Sequence, residues 1–399
     1  MKKIVLGMMV SCLWGGAALA QDAPIRIGVL NDLSGAYADF QGQGSVVAAK
    51  LAVEDFGKAA GRAVEVLSAD HQNKVDVGVT IARQWFDTEG VDLIVDVPNS
   101  AIAFGVAQAA QDKNRVFIGS GAGSAVLTGP KCSPNTVHWT YDTWQIGHTL
   151  GQPVVERGGK RWFFLTADYT FGHDLQKSTS EAVAASGGSV LGSAAHPIGT
   201  SDFSSYLLQA QSSGADVLSL ANGGADTTNS IKQAVEFGLT KKMTIAGLVL
   251  NINMIPGIGL KDSQGILAVM PFYWDLNDGT RAFAKRFAAA HPRHLMPNDM
   301  QAGVYSAVMH YLKAVVALGG KSSDGKAVVD KMKETPTDDP LFGKGTIRKD
   351  GRKLHPVYLM QVKTPEESKG EWDYFKLVST VEAEKAFRPL NAGGCPLVQ

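Results

Sequence analysis

Short runs of β-branched and aromatic residues alternate with amphipathic helical stretches along the chain, and the alternation starts twice. The first series predicts strands over 25–30, 64–67, 93–97 and 116–118, with helices over 44–59, 75–89 and 101–112. After residue 140 a second series predicts strands over 162–166, 189–195, 217–220, 243–246 and 266–269, with helices over 174–185, 203–212 and 228–237. A helix between consecutive strands lets them pair in parallel and covers both faces of the sheet. Between 271 and 318 the pattern turns helical, with Phe283, Phe287, Val304, Val308, Leu312 and Val315 at helical spacing. Asp350-Gly351 and the run over 358–362 predict a late β-ribbon. The expected fold is therefore α/β: two Rossmann-like lobes with parallel central sheets, joined by a multi-strand hinge. Crossings near Tyr141, Phe272 and Lys349 divide the chain into 21–141 plus 272–349 and 142–271 plus 350–399.

The first twenty residues stand outside this scheme. Lys2 and Lys3 precede a mostly apolar run, and Ala18-Leu19-Ala20 before Gln21 has the small residues of a leader cleavage site. Cleavage after Ala20 and export to the periplasm are expected. A lipid anchor on Cys12, after Val10-Ser11, is the alternative. The apolar run is too short for a membrane span. Cys132 and Cys395 then remain as an even pair in an oxidising compartment, and a long-range disulfide holding the tail is expected. Two free thiols are the other reading.

Composition narrows the function. The chain has 38 Lys+Arg and 38 Asp+Glu, with no basic block, so it lacks the cationic surface that nucleic acid requires. There is no G-x-S-x-G, H-E-x-x-H or P-loop motif. The Gly-rich stretch 119–124 lacks the third glycine of a dinucleotide loop, and Gly129-Pro130 stops any long helix behind it. His291 and His294 flank Pro292-Arg293 beyond a helix end and read as exposed side chains rather than metal ligands. No metal, cofactor or enzymatic activity is expected.

Small polar loops at the carboxyl ends of the predicted strands remain, and that edge is where open α/β sheets bind ligands. In the first half these loops supply Ser34, Tyr37, Asn99, Ser100, Ser120, Gly121 and Ala122. Helix-start N–H groups and small hydroxyls can hold a carboxylate without a cationic side chain. The second half offers Tyr169, Phe171, Asn222, Asp226, Asn251 and, at a crossing, Tyr273. Aromatic walls facing a small polar lobe suit a flat anion.

The Asp32-Leu33-Ser34-Gly35 loop, the Asp168-Tyr169-x-Phe171-Gly172 turn and the Phe272-Tyr273-Trp274-Asp275 stretch carry a resemblance. The Gln301–Tyr305 segment and terminal Cys395-Pro396-Leu397 extend it. Over essentially the whole mature chain, the sequence resembles the periplasmic solute-binding proteins of branched-chain-amino-acid-type ABC transporters, the type I binding-protein fold. The resemblance implies two lobes closing on a small molecule and a closed form that docks on membrane permease subunits of an importer, the receptor itself being a monomer. It assigns the ligand carboxylate to Ser100, Ser120 and Ala122, with Tyr169 stacking from the second lobe. Relatives that bind α-amino acids place an acid against the ammonium after a later second-lobe strand. The matching stretch here, Leu250-Asn251-Ile252-Asn253, has none. An unpaired ammonium in a closed cleft costs on the order of 2–5 kcal/mol, and the motifs look more like the subgroup for hydroxybenzoates and phenylpropenoates. An amino acid, amide or urea paired with Asp226 is the nearest rival reading. An exported enzyme using Asp168 and His173, or a sensor that signals to a membrane receptor, are more distant ones.

Overall fold

The computed structural model describes residues 23–398. The expected leader and the Cys12 alternative lie outside these residues. The first series folds as β1 (Ile25–Asn31), α1 (Gly42–Phe56), β2 (Val64–Asp70), α2 (Val75–Asp87), β3 (Leu93–Asp96), α3 (Ser100–Asp112), β4 (Val116–Gly119) and β5 (Thr136–His138). All five strands pair in parallel, in the order β2-β1-β3-β4-β5. Strands β3 and β4 are buried along their whole length, as apolar runs covered on both faces must be.

The second series gives α4 (Thr143–Glu156), β6 (Arg161–Ala167), α5 (Thr170–Ala185), β7 (Ser189–His196), α6 (Ser204–Ser212), β8 (Val217–Ala221), α7 (Ala225–Glu236) and β9 (Thr244–Gly247). Two single-turn helices, α8 (Ile255–Ile258) and α9 (Leu260–Ser263), lead into β10 (Leu267–Met270). The strand order is β7-β6-β8-β9-β10, the same 2-1-3-4-5 order as in the first sheet. The second start of the alternation is thus a repeated topology. In such a sheet the order reverses between its first and third strands, which opens a crevice at their carboxyl ends.

The chain then returns to the first sheet as α10 (Asp278–Ala290), α11 (Asp299–Ala317) and α12 (Gly325–Glu334). Helix α11 packs along α1, with Val304, Val308, Tyr311, Leu312 and Val315 buried in the first lobe's core. A small sheet of β11 (Thr337–Asp339), β12 (Gly343–Ile347) and β13 (Lys353–Leu354) follows. Then β14 (Val357–Val362), antiparallel to β10, and β15 (Phe375–Val381), antiparallel to β14, extend the second sheet as the expected late ribbon.

The tail corrects one expectation. Residues 350–399 were assigned together to the second lobe, but after β15 and the turn α13 (Ala383–Ala386) the chain runs back to the first. There Cys395 is disulfide-bonded to Cys132, in the connection between β4 and β5. Arg388 donates to the Ala125 carbonyl beside it. Export chemistry signalled the bond; the tail's return to the other lobe carries no local periodicity.

Three connections, 139–142, 271–277 and 348–356, join the two sheets. Their core holds buried cations. Arg352 donates to the Tyr141 carbonyl and faces Asp142 at 3.5 Å, with its guanidinium 4.5 Å from the Phe387 ring. Lys353 lies 4.4 Å from the Trp139 ring and 3.7 Å from Asp339. His355 contacts the Thr140 carbonyl at 2.6 Å.

Candidate functional site

The loops after β1 and β3 of one lobe face those after β6, β8 and β9 of the other. Asp32 shapes the first of them. Its carboxylate accepts from the Gly35 and Tyr37 N–H groups at 2.7 and 2.9 Å, and from Asn73. That is the physical content of the Asp-Leu-Ser-Gly motif: it turns the loop so that Tyr37 points across the cleft. The Tyr37 hydroxyl lies 2.7 Å from the Tyr169 hydroxyl, and the Ala225 N–H donates to the Ala36 carbonyl at 3.0 Å. Asn253 donates to the Met296 carbonyl and accepts from Asn298. Asp174 of α5 accepts from Ser124, Thr143 and the Ala125 N–H. The lobes are closed on each other.

Between them lie two small cavities separated by Tyr141 and Val249. The first, about 10 Å³ and so room for about one water, is walled by Tyr37, Phe40, Pro98, Tyr141, Tyr169, Phe171 and Gly223. The second, also about 10 Å³, is walled by Ile146, Leu248, Leu250, Val269 and Met300, with Asn251 and Asp299 as its polar groups. No Lys, Arg or His side chain lines either cavity. Beside the first cavity, the backbone N–H groups of Ser100, Ala122 and Gly123 meet no acceptor among the described residues. A Cβ on Gly123 would come within 2.5 Å of the Phe171 ring and 2.8 Å of the Tyr141 ring, so backbone and rings touch there.

The predicted residues separate into two groups. Tyr37, Tyr169, Phe171 and Asn251 line the cavities, whereas Ser100, Gly121 and Ala122 are buried but line neither. Phe171 is not on a loop, because α5 begins at Thr170, four residues earlier than the periodicity indicated. Gly172 permits this early start, since a Cβ there would lie 2.0 Å from the Ala167 carbonyl oxygen. The Ser120 hydroxyl donates to Asp96 at 3.3 Å, and Asn99 caps α3 by accepting from Ala101 and Ile102 N–H.

Four others are turned elsewhere. Ser34 is exposed and donates to Asp70. The Asn222 amide is engaged by His196, Ser230 and Thr227 inside the second lobe. Tyr273 donates to the Trp372 carbonyl and accepts from the Tyr374 and Phe375 N–H groups, which ties a crossing to the ribbon. Asp226 sits in the first turn of α7, where both carboxylate oxygens accept from the Gly199 N–H. Outside the site, His291 is buried, stacked on Phe287 rather than exposed. Asp168 and His173 pair at 2.8 Å on the open surface, both more than half exposed, and neither lines a cavity.

Sequence reasoning missed Phe40, Tyr141, Val249 and above all Asp299. The acid comes not from the loop after β9 but from the start of α11. Burial raises its carboxyl to about 7, and burial likewise raises Asp96 to about 7 and Asp226 to about 6. The Asn298–Gln301 capping box that precedes the helical run is the only local signal, and it marks a helix start rather than a ligand contact.

Two lobes of repeated doubly wound topology, closed over a cleft at their carboxyl edges, define a binding protein that captures a small solute by closure. The family model for periplasmic binding proteins matches residues 24–371, and the chain belongs to that family, the solute receptors of ABC transporters. A periplasmic binding protein from Burkholderia mallei is 47% identical, with a TM-score of 0.91 over 94% of this chain and 99% of its own. A branched-chain amino acid ABC transporter periplasmic ligand-binding protein from Burkholderia xenovorans LB400 is 40% identical, with a TM-score of 0.83 over 94% of this chain and 100% of its own. An ABC-transporter solute-binding protein from R. palustris, solved with 4-hydroxybenzoate, shares the fold at 22% identity, with a TM-score of 0.83 over 91% of this chain and 98% of its own. Among the described residues no helix is long and apolar enough to cross a membrane.

Proposed function

We propose that the protein captures a small aromatic carboxylate in the periplasm and delivers it, lobes closed, to the permease subunits of an ABC importer. The observation that carries this reading is the convergence of Tyr37, Phe40, Tyr141, Tyr169 and Phe171 from both lobes on one cavity with no basic side chain. Such walls favour a flat ring. The unpaired N–H groups of Ser100, Ala122 and Gly123 offer its carboxylate backbone donors, one of them at the N-terminus of α3, where the helix dipole favours an anion. In this reading Ser100, Gly121 and Ala122 form the carboxylate cradle, with the Ser120 hydroxyl joining when it leaves Asp96. The lobes are 21–141 with 272–349 and 142–271 with 350–382, and they rotate about the three connections near Tyr141, Phe272 and Lys349. The R. palustris complex supports only that this fold accommodates such an acid.

Ligand that binds only the folded form raises the melting temperature by mass action. A thermal-shift screen of benzoates, hydroxycinnamates and branched-chain amino acids tests the reading. Stabilisation by aromatic acids is expected. Stabilisation by leucine, with none from any aromatic acid, overturns it in favour of an amino-acid receptor.

A further inference from the structure

The second cavity contains a mismatch of hydrogen-bonding groups. The Asn251 side chain is oriented by the Asn253 N–H, which donates to its Oδ1 at 3.1 Å. That leaves Nδ2 buried without an acceptor, on a residue only 3% exposed. The carboxylate of Asp299, on the same cavity wall, receives no side-chain hydrogen bond and no ion pair among the described residues. The Tyr141 hydroxyl cannot serve either group, because it donates to the Gly121 carbonyl at 2.9 Å. Every other side chain of that wall is apolar apart from the Met300 thioether, which already accepts from Gln41. A buried donor is therefore unmatched beside a carboxylate held only by the Asp299 and Met300 N–H groups, in an otherwise apolar chamber, a costly arrangement for Nδ2 unless a ligand completes it.

We infer that Asp299 and Asn251 together read a hydroxyl at the end of the ligand opposite its carboxylate, so that the receptor selects hydroxylated aromatic acids over their unsubstituted parents. A hydroxyl supplies one proton to Asp299 and one lone pair to Asn251 Nδ2. An ammonium donates only and leaves Nδ2 unmatched. Against the ionised Asp299, a second carboxylate sets like charge, and a nitro group, which accepts only, supplies no proton. A primary amide brings a further N–H for which the wall has no other oxygen acceptor. The inference rests on the aromatic-acid reading: the ring occupies the aromatic cavity with its carboxylate toward Ser100 and Ala122, and its far end passes Tyr141 into this chamber. Asp299 thus takes the place of the acid missing from the 250–253 loop, but for a neutral donor.

Calorimetric titration of the wild-type protein with benzoate, 4-hydroxybenzoate, 4-carbamoylbenzoate, cinnamate, 4-hydroxycinnamate and leucine tests this directly. At least tenfold tighter binding of each hydroxylated acid than of its parent is expected, because a site built around a hydroxyl rejects the analogue that leaves its buried groups unpaired. Asp299→Ala and Asn251→Ala should each reduce that preference to less than about threefold while leaving the parent acids bound. The wild-type comparison stands alone if either variant misfolds. Equal binding of hydroxylated and parent acids, or tighter binding of the carbamoyl acid, overturns the hydroxyl inference and leaves the aromatic-acid reading intact. Binding of leucine alone overturns that reading and this inference with it.

Discussion

Gly224 shows how much one residue decides at the closed cleft. Its backbone sits at φ 62° and ψ −134°, a region that side-chain-bearing residues avoid. A Cβ there would lie 2.3 Å from the Ala36 carbonyl oxygen and 2.9 Å from the Phe40 and Tyr37 rings of the opposite lobe. Gly224→Ala should therefore hold the lobes apart and weaken ligand binding at least about tenfold, with backbone strain of ~1–3 kcal/mol. Calorimetry with small-angle scattering of the ligand-saturated protein checks it; unchanged affinity and an unchanged radius of gyration would refute the closure role. The Tyr37–Tyr169 contact is a milder case. Tyr37→Phe removes one inter-lobe hydrogen bond, worth ~1 kcal/mol, so about fivefold weaker binding is expected in the same titration. Tyr37 and Tyr169 were legible in the sequence because each lies in the segment between a strand and the helix after it. Tyr273 and Asn222 looked equally suited, yet partners distant in sequence claim them: the 372–375 segment for Tyr273, His196 and Thr227 for Asn222.

At the scale of elements, the strands were readable because parallel strands buried on both faces are continuous apolar runs. Helix starts were not. Helices α5 and α7 both begin earlier than the apolar periodicity does, at Thr170 and Ala225, because their first turns are polar or small apart from Phe171. The consequence was to read Phe171 and Asp226 as loop residues. The tail is an element whose place a covalent bond decides. The Cys132–Cys395 bridge spans 263 residues of chain, and closing a long loop strongly restricts the unfolded ensemble. Replacing both cysteines by serine should cost about 2–5 kcal/mol in urea unfolding while leaving ligand affinity within twofold, since neither cysteine lines either cavity of the cleft. Full stability of the double variant would show that the tail's packing alone holds it.

For the whole molecule, buried ionisable groups set opposing responses to pH. Burial, with Lys353 and Arg352 adding repulsion, pushes His355 down to about 3, and burial beside Arg352 pushes His138 down as well. Unfolding lets both take protons near 6.5. Their contribution is therefore present above pH 6.5 and is lost as pH falls toward 3. Asp96 and Asp299 act the other way. They hold their protons to about 7 when folded but release them near 3.8 when unfolded, so their contribution is lost as pH rises from 4 to 7. In the ligand-free protein, Asp299→Asn should flatten that second loss. The variant should gain on wild type between pH 5 and pH 8, by up to about 3 kcal/mol. Urea unfolding at the two pH values measures it; parallel pH profiles for variant and wild type would count against a buried, proton-holding Asp299.

The main alternation of strands and helices and its two-fold repetition followed from the sequence, whereas β5, α4 and the β11–β13 sheet did not. The alternation is encoded in periodicity within a few turns of chain, and burial on one or two faces imposes that periodicity wherever the element ends up. The disulfide was inferable too, from cysteine count and compartment. Which polar groups meet in the cleft was decided only in three dimensions. Asp299 reaches the chamber of Asn251 because α11 belongs to the first lobe's core and points its N-terminus at the second lobe. That meeting depends on how two sheets close across a three-stranded hinge, a long-range geometry with no counterpart in local sequence pattern.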